Sequence, residues 1–369
     1  MTVGAPPLRI GLVGPLPPPS GGMANQTLQL ATLLTQEGHS VETIQVNCAC
    51  KPAWAGRVKG LRAVARLLPY LAHLWRAAGR VQIFHVMANS GWSWHLYAAP
   101  AIWIGRLRGT PVVINYRGGE ADTFLARSLA WVRPSLARAD AVIVPSGFLE
   151  AVFGKYGFAT QVVPNIINLE RFSVAMPGAA RAPQLLVARN LEPIYDNATA
   201  LRAFAIVLRS HPDARLVVAG SGPLLADLQQ LAATLGVATS VQFTGRIDNS
   251  AMGALYQASD LMINPSLVDN MPNSVLEALA SGVPVVSTNV GGVPYMVEDG
   301  KTALLVAPAA PEAMAAAILR VLDQPALAAS LREAGLRYVQ QYAWNSVRPR
   351  LLGVYRALLA PAARMAAQP

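Results

Sequence analysis

Apolar runs short enough to be strands alternate along this chain with helix-length amphipathic stretches, and the alternation stops once and begins again. In the first series, residues 8–13 lead into Gly14 and a Pro/Gly loop, 24–36 has helical periodicity and stops at Gly38, and 41–46 is again strand-like. Residues 81–86, 111–115 and 141–144 continue it, and a second series has strand-like runs at 184–188, 215–219, 241–244, 261–264 and 283–287. Apolar strands separated by helices belong to parallel sheets covered on both faces. The expected fold is therefore α/β: two Rossmann-like, doubly wound parallel-sheet domains facing across a cleft. The stretch 166–183, rich in Asn, Pro, Gly and Ala without periodicity, reads as a linker between domains at 1–165 and 184–345. A helical tail, 346–369, is expected to return to the first domain.

With 369 residues, 53% apolar and 14% charged, the chain can bury two cores, which excludes disorder. No run approaches the ~18 apolar residues of a spanning helix; the best candidate, 92–104, is short and carries His95. The first residues lack a basic segment followed by an apolar one, so the expected location is cytoplasmic. Cys48 and Cys50 are too few for a disulfide framework or a zinc site and are expected to be reduced, partly buried thiols.

The net charge of +10 is unevenly spread. Up to residue 166 there are 15 basic and 6 acidic residues, beyond it 15 and 14, and no acidic residue lies between Glu42 and Glu120. The first domain thus expects an anionic partner. Within its basic segment Leu61, Val64, Leu68, Leu71 and Trp75 recur at three- and four-residue steps, with Lys59, Arg62, Arg66 and Arg76 mainly off that stripe and Pro69 expected to kink or restart the helix. That pattern fits a helix lying on an anionic membrane surface; it also fits a surface helix whose stripe enters the core. No nucleic-acid motif accompanies the charge.

In open parallel sheets ligands sit beyond the carboxyl ends of the strands. The first such loop, Gly14 to Gly22, precedes a helix, so its backbone amides can approach an anion, although a bare Pro/Gly turn has the same composition and no G-x-G-x-x-G fingerprint is present. The densest motif is Asn264-Pro-Ser-Leu-Val-Asp-Asn-Met-Pro-Asn-Ser-Val-Leu-Glu-Ala-Leu-Ala-Ser-Gly-Val-Pro-Val-Val286, followed by Ser287-Thr-Asn-Val-Gly-Gly-Val-Pro294. It resembles the donor-binding core of the family 4 glycosyltransferases, which have the GT-B fold and use nucleotide-activated sugars. Val187-Ala-Arg-Asn190, Val218-Ala-Gly-Ser-Gly-Pro223 and Val241-Gln-Phe-Thr-Gly-Arg-Ile247 extend the resemblance over most of the second domain.

The resemblance implies roles for particular residues. Two carboxylates eight positions apart bracket the motif, here Asp269 and Glu277, the first usually being Glu. Glu277 is implied to bind the ribose hydroxyls and Asp269 those of the transferred sugar, with Asn270, Met271 and Asn273 beside the donor diphosphate at the start of a helix. From spacing alone, Ser274-Val-Leu-Glu277 is equally a capping box. Arg189 matches an arginine that pairs with the donor phosphates, but the lysine about six residues later falls near Tyr195, leaving Arg246 as a substitute cation. In the first domain Gly21 and Gly22 match a phosphate-side glycine loop, and Arg117 stands where many relatives carry a histidine that contacts the sugar. His85 and His95 read as packed, structural histidines.

The expected protein is a retaining glycosyltransferase that moves a sugar from a nucleoside diphosphate donor to a glycan or lipid-linked acceptor at the inner face of the cell membrane, without cofactor or metal. Asp269, Arg189 and Arg117 are its expected catalytic residues. The altered lysine and histidine positions keep a second reading open, a catalytically weak sugar-nucleotide-binding partner in polysaccharide assembly. A nicotinamide dehydrogenase lacks its fingerprint.

Overall fold

The computed structural model describes residues 6–18, 22–48, 59–174 and 182–366. Contacts divide the chain into two compact units, Met1–Ile166 with Val347–Pro369, and Ile167–Ser346. Of the stretch expected as a linker, Ile166 belongs to the first unit and the residues from Ile167 to the second, where Ile167 bridges to Ala343.

In the first unit the order is β1 (Arg9–Gly14), α1 (Gly22–Gln36), β2 (Ser40–Gln45), α2 (Lys59–Ala78), β3 (Ile83–Ala88), a π-helical turn (Trp94–Ala98) running into α3 (Ala99–Arg108), β4 (Val112–Tyr116), α4 (Ala121–Leu136), β5 (Ala141–Val144), α5 (Gly147–Lys155) and β6 (Gln161–Val162). The six strands are parallel in the order β2-β1-β3-β4-β5-β6. Strand–helix–strand crossovers are right-handed. The β1-to-β2 step, running against the others, therefore puts α1 on one face, and the remaining steps put α2 to α5 on the other. Every residue of β3 is buried, whereas edge strand β2 is mostly not. Phe84 and Val86 pack towards α2–α5, and His85 points the opposite way, where the Tyr355 hydroxyl lies 2.7 Å from its Nδ1.

The second unit runs β7 (Gln184–Val187), α6 (Asn197–Val207), β8 (Arg215–Ala219), α7 (Leu225–Thr234), β9 (Val241–Gly245), α8 (Asn249–Gln257), β10 (Leu261–Asn264), α9 (Asn273–Ala280), β11 (Val285–Thr288), β12 (Leu304–Val306), α10 (Pro311–Asp323) and α11 (Pro325–Val339). Then α12 (Trp344–Ala366) joins the first unit from Val347, supplying Tyr355. The sheet is again parallel, ordered β12-β11-β10-β7-β8-β9. Successive strand residues feed opposite cores: Leu185 and Val187 one, Leu186 the other, which explains why these strands read as unbroken apolar runs rather than alternating ones.

Some local expectations change. Pro69 does not restart α2, which is one continuous helix from Lys59 to Ala78, as α4 continues through Pro134; the helix tolerates the one hydrogen bond a proline forfeits. The buried face of α2 is Tyr70, Leu74, Ala77 and Ala78, with Leu71 packed beside it, while Leu68 and Trp75 point outward. Cys48 is exposed rather than partly buried, and Cys50 lies outside the described residues. Among the described residues no single helix is long and apolar enough to cross a membrane.

Candidate active site

The second unit begins in the middle of its sheet. Its chain moves outward from β7 to β9 and then returns to β10 on the other side of β7, so the strand order reverses between β7 and β10. The carboxyl ends of those two strands, where the order reverses, are the usual ligand position in such a sheet. Arg189 follows β7, and Asp269 lies in the loop between β10 and α9.

The two side chains pair directly. Arg189 Nη2 is 2.5 Å from Asp269 Oδ2, and Nη1 is 3.4 Å from Ser274 Oγ at the start of α9. Each side chain is about one-tenth exposed, at 10% and 11%. Burial pushes the Asp269 carboxyl above its ordinary range, opposed by Arg189, the Ser266 hydroxyl and the Asn270 amide. The Tyr195 ring lies under the guanidinium, 4.1 Å from ring centroid to Cζ. The expected lysine position thus holds Arg189 by a cation–π contact instead of adding a second cation. Nε of Arg189 is buried with no hydrogen-bond partner among the described residues.

Glu277 is not a helix cap. Pro272 precedes the first turn of α9, has no N–H to receive a reaching carboxylate, and no side-chain cap forms there. Glu277 lies one turn further in, buried, with Oε2 3.0 Å from the Tyr256 hydroxyl of α8. Burial raises its carboxyl from the usual range to about 7, partly offset by Tyr256 and the cations Arg171 and Arg189. A carboxylate held in this way, beside the positive end of a helix, is an acceptor for hydroxyl groups rather than a surface charge.

Close backbone approach packs the loops around the Arg189–Asp269 pair. A Cβ on Gly292 would lie 1.7 Å from the Asn270 carbonyl oxygen, and one on Gly220 1.9 Å from that of Arg189, so only glycine lets the loops after β11 and β8 meet these segments. Behind them, Asn264, Ser266, Ser287 and Thr288 form a buried hydrogen-bonded set that fixes the Asp269 loop.

The other expected residues fall into different places. Met271 packs in the core, so only its backbone is available to a ligand; Asn270 is buried, and Asn273 opens α9. Arg246 follows β9 and is exposed, with no ion pair to this cluster among the described residues. Gly22 begins α1, while Gly21 lies outside the described residues. Arg117, just after β4, is held among the described residues by neutral oxygens: Asn115 Oδ1 at 3.2 Å, Asn165 Oδ1 at 2.5 Å and Gln26 Oε1 at 3.5 Å. Desolvation lowers its pKa to about 10, and it forms no ion pair with a described carboxylate. His85 is a structural histidine, its ring held by Asn115 and Tyr355 and kept neutral by burial and Arg117, with its pKa pushed down to about 3.

Residues 177–338 match the family model described as glycosyl transferases group 1, and residues 20–171 match glycosyltransferase family 4. The chain belongs to the family 4 glycosyltransferases. Curated relatives include a D-inositol 3-phosphate glycosyltransferase of Streptomyces avermitilis, 32% identical over 211 residues that cover 52% of this chain and 46% of that protein. A glycogen synthase of Mycobacterium tuberculosis is 26% identical over 385 residues, covering 91% of each. The chain spans about half the length of the inositol phosphate enzymes it matches. Among solved structures, a sucrose-phosphate synthase from Thermosynechococcus elongatus has a TM-score of 0.74 at 21% identity, covering 96% of this chain and all of that one. Anabaena HepE, solved with UDP and glucose, has a TM-score of 0.74 at 18% identity, covering 95% and 100%. These likenesses establish the GT-B fold of this family 4 member. Tyr195 and Tyr256, which hold Arg189 and Glu277, were not expected from its sequence. Tyr256 near the end of α8 carries no mark of its partner in the sequence, which only packing of α8 against α9 supplies.

Proposed function

We propose that this chain is a retaining glycosyltransferase whose nucleoside diphosphate sugar binds beyond the carboxyl ends of β7 and β10. The single observation that carries the proposal is the buried Arg189–Asp269 pair, with the buried Glu277 of α9 in the field of Arg189, at the switch point of the sheet. In this reading Arg189 and the first amides of α9 face the diphosphate, Glu277 accepts hydrogen bonds from the ribose, and Asp269 accepts them from the sugar. The bond from the anomeric carbon to the diphosphate breaks, a bond to an acceptor hydroxyl forms on the same face, and the hydroxyl proton leaves with the phosphate. Charge developing on the departing diphosphate is balanced by Arg189 and backbone amides, so no resident metal or cofactor is required. Uridine diphosphate is the first nucleotide to try, since HepE was solved with it. The acceptor is a glycan or lipid-linked sugar bound by the first unit at the cytoplasmic membrane face, a reading supported by the basic excess of that unit.

Tyr195 in the lysine position favours a second reading, a sugar-nucleotide-binding partner with little catalysis. Calorimetry with UDP, GDP and ADP, followed by incubation with the matching sugar nucleotides with and without chelator, separates the two. Binding with chelator-insensitive donor hydrolysis or transfer supports the enzyme. Binding without even slow hydrolysis supports the partner protein, and no binding of any nucleotide sinks both.

A further inference from the structure

The helical layer of the first unit carries large apolar side chains on its outside. Trp103 and Leu107, one turn apart on α3, are 40% and 72% exposed, Trp75 on α2 is 47% exposed, and Trp131 on α4 is 80% exposed. Isolated exposed apolar residues are ordinary, but these lie on three neighbouring helices of one layer. Arg108 of α3 stacks on Trp75 at 4.9 Å, and Arg138, just beyond α4, stacks on Trp103 at 4.5 Å. Arg133 bonds the Tyr156 carbonyl on the α5 side of α4. Trp131, two residues and about 200° earlier, therefore projects from the opposite edge, toward α3. All four side chains lie in the last two turns of their helices, hence toward the amino-terminal edge of the sheet, away from the ligand end.

We propose that this α2–α3–α4 face is the surface by which the protein docks on an anionic lipid bilayer, with Trp75, Trp103, Leu107 and Trp131 entering the headgroup region and the surrounding arginines meeting lipid phosphates. The proposal rests on the membrane half of the function above; it keeps Trp75 of the expected α2 stripe and extends the surface over α3 and α4 into a three-helix face. Charge selects the occupant. Neither α2 nor α3 contains an acidic residue, and the one on α4, Asp122, is paired with Lys155. A second copy of this face would set Arg106, Arg108 and Arg138 against their own kind, whereas an anionic bilayer neutralises them. Tryptophan and arginine together suit the interface, where an amphipathic ring and a charged head are both satisfied.

The test is flotation of the full chain with phosphatidylglycerol–phosphatidylcholine vesicles, compared with phosphatidylcholine alone at low salt. Wild type should partition to the anionic vesicles, the Trp103→Ala/Trp131→Ala variant at least about tenfold less, and Arg106→Gln/Arg108→Gln less with a shallower salt dependence. Trp92→Ala, which removes an equally exposed tryptophan from the loop after β3, should bind like wild type. Unchanged melting temperature establishes that the surface variants fold. If wild type binds but the double tryptophan variant binds equally, this face is wrong while membrane association survives. No preference of wild type for anionic vesicles overturns both. A wild-type dimer in light scattering that becomes monomeric in the double variant assigns the face to a second copy and overturns the proposal.

Discussion

Each unit places one arginine just past the carboxyl end of a central parallel strand, and the two are stabilised in opposite ways. Arg189 stands at the point where its sheet reverses order and is neutralised by Asp269. Arg117 stands after β4, one strand away from the corresponding reversal between β1 and β3, and among the described residues is held by amide oxygens of Asn115, Asn165 and Gln26. An ion pair at a switch point combines a cation and an acceptor in one place and suits a polar, charged ligand. A guanidinium among amides ties strand, helix and the Asn165–Ile166 segment together, because Gln26 also bonds Ile166 through both its amide nitrogen and oxygen. Under the proposed function the ligand falls to Arg189, whereas the contacts of Arg117 tie together the local backbone.

The comparison breaks most easily at Arg189. Arg189→Ala leaves Asp269 buried without its partner, so unfolding free energy should fall by about 3–5 kcal/mol, with nucleotide binding lost as well. Adding Asp269→Asn removes the stranded charge and should restore more than half of the stability but none of the nucleotide affinity. Equal stability of both variants in denaturant titrations would show that the pair is already solvated.

Glu277 gives the next effect, with a defined pH window. Its folded pKa is raised to about 7 from 4.5, so the folded state holds the proton more tightly, and stability falls as pH rises from about 4.5 to about 7. Glu277→Gln keeps a partner for Tyr256 and carries no charge. The melting temperature of the variant relative to wild type should therefore climb through that window and level off above it. Nucleotide affinity at pH 8 should nonetheless fall by roughly tenfold, because hydrogen bonds to a carboxylate are the stronger kind. A flat difference in melting temperature across the window would mean that the carboxylate is solvated.

Arg117→Met should cost less than Arg189→Ala, about 1–3 kcal/mol, since it strands neutral oxygens and leaves no buried charge behind. UDP affinity should change little. A loss as large as that of Arg189→Ala, or a comparable loss of UDP affinity, would erase the distinction between the two arginines. Smallest is Tyr256→Phe, expected to lower stability by about 1 kcal/mol and to move the Glu277 titration upward, readable as a shifted midpoint in the same melting series.

Much of this molecule was legible in the sequence. Two runs of strand and helix, with the inner strands apolar along most of their length, are possible only if both faces of a parallel sheet are covered, and that periodicity survives whatever the loops do. The positions of Arg189, Asp269 and Glu277 were likewise legible, because a chain that must turn at the end of each strand puts loop residues at one edge of the sheet. Their partners were not. Spacing made Glu277 a helix cap as readily as a ligand, and only the docking of α8 on α9, with Pro272 in place of a capping residue, turned its carboxylate toward Tyr256. In the same way, the three- and four-residue spacing in α2 marked an amphipathic helix, yet which of its faces is buried depended on where α3 and the sheet lie. Periodicity is a property of one element, so the sequence determines it; which side chain meets which, and hence which charge is balanced, depends on residues tens of positions away and is decided only when the layers pack.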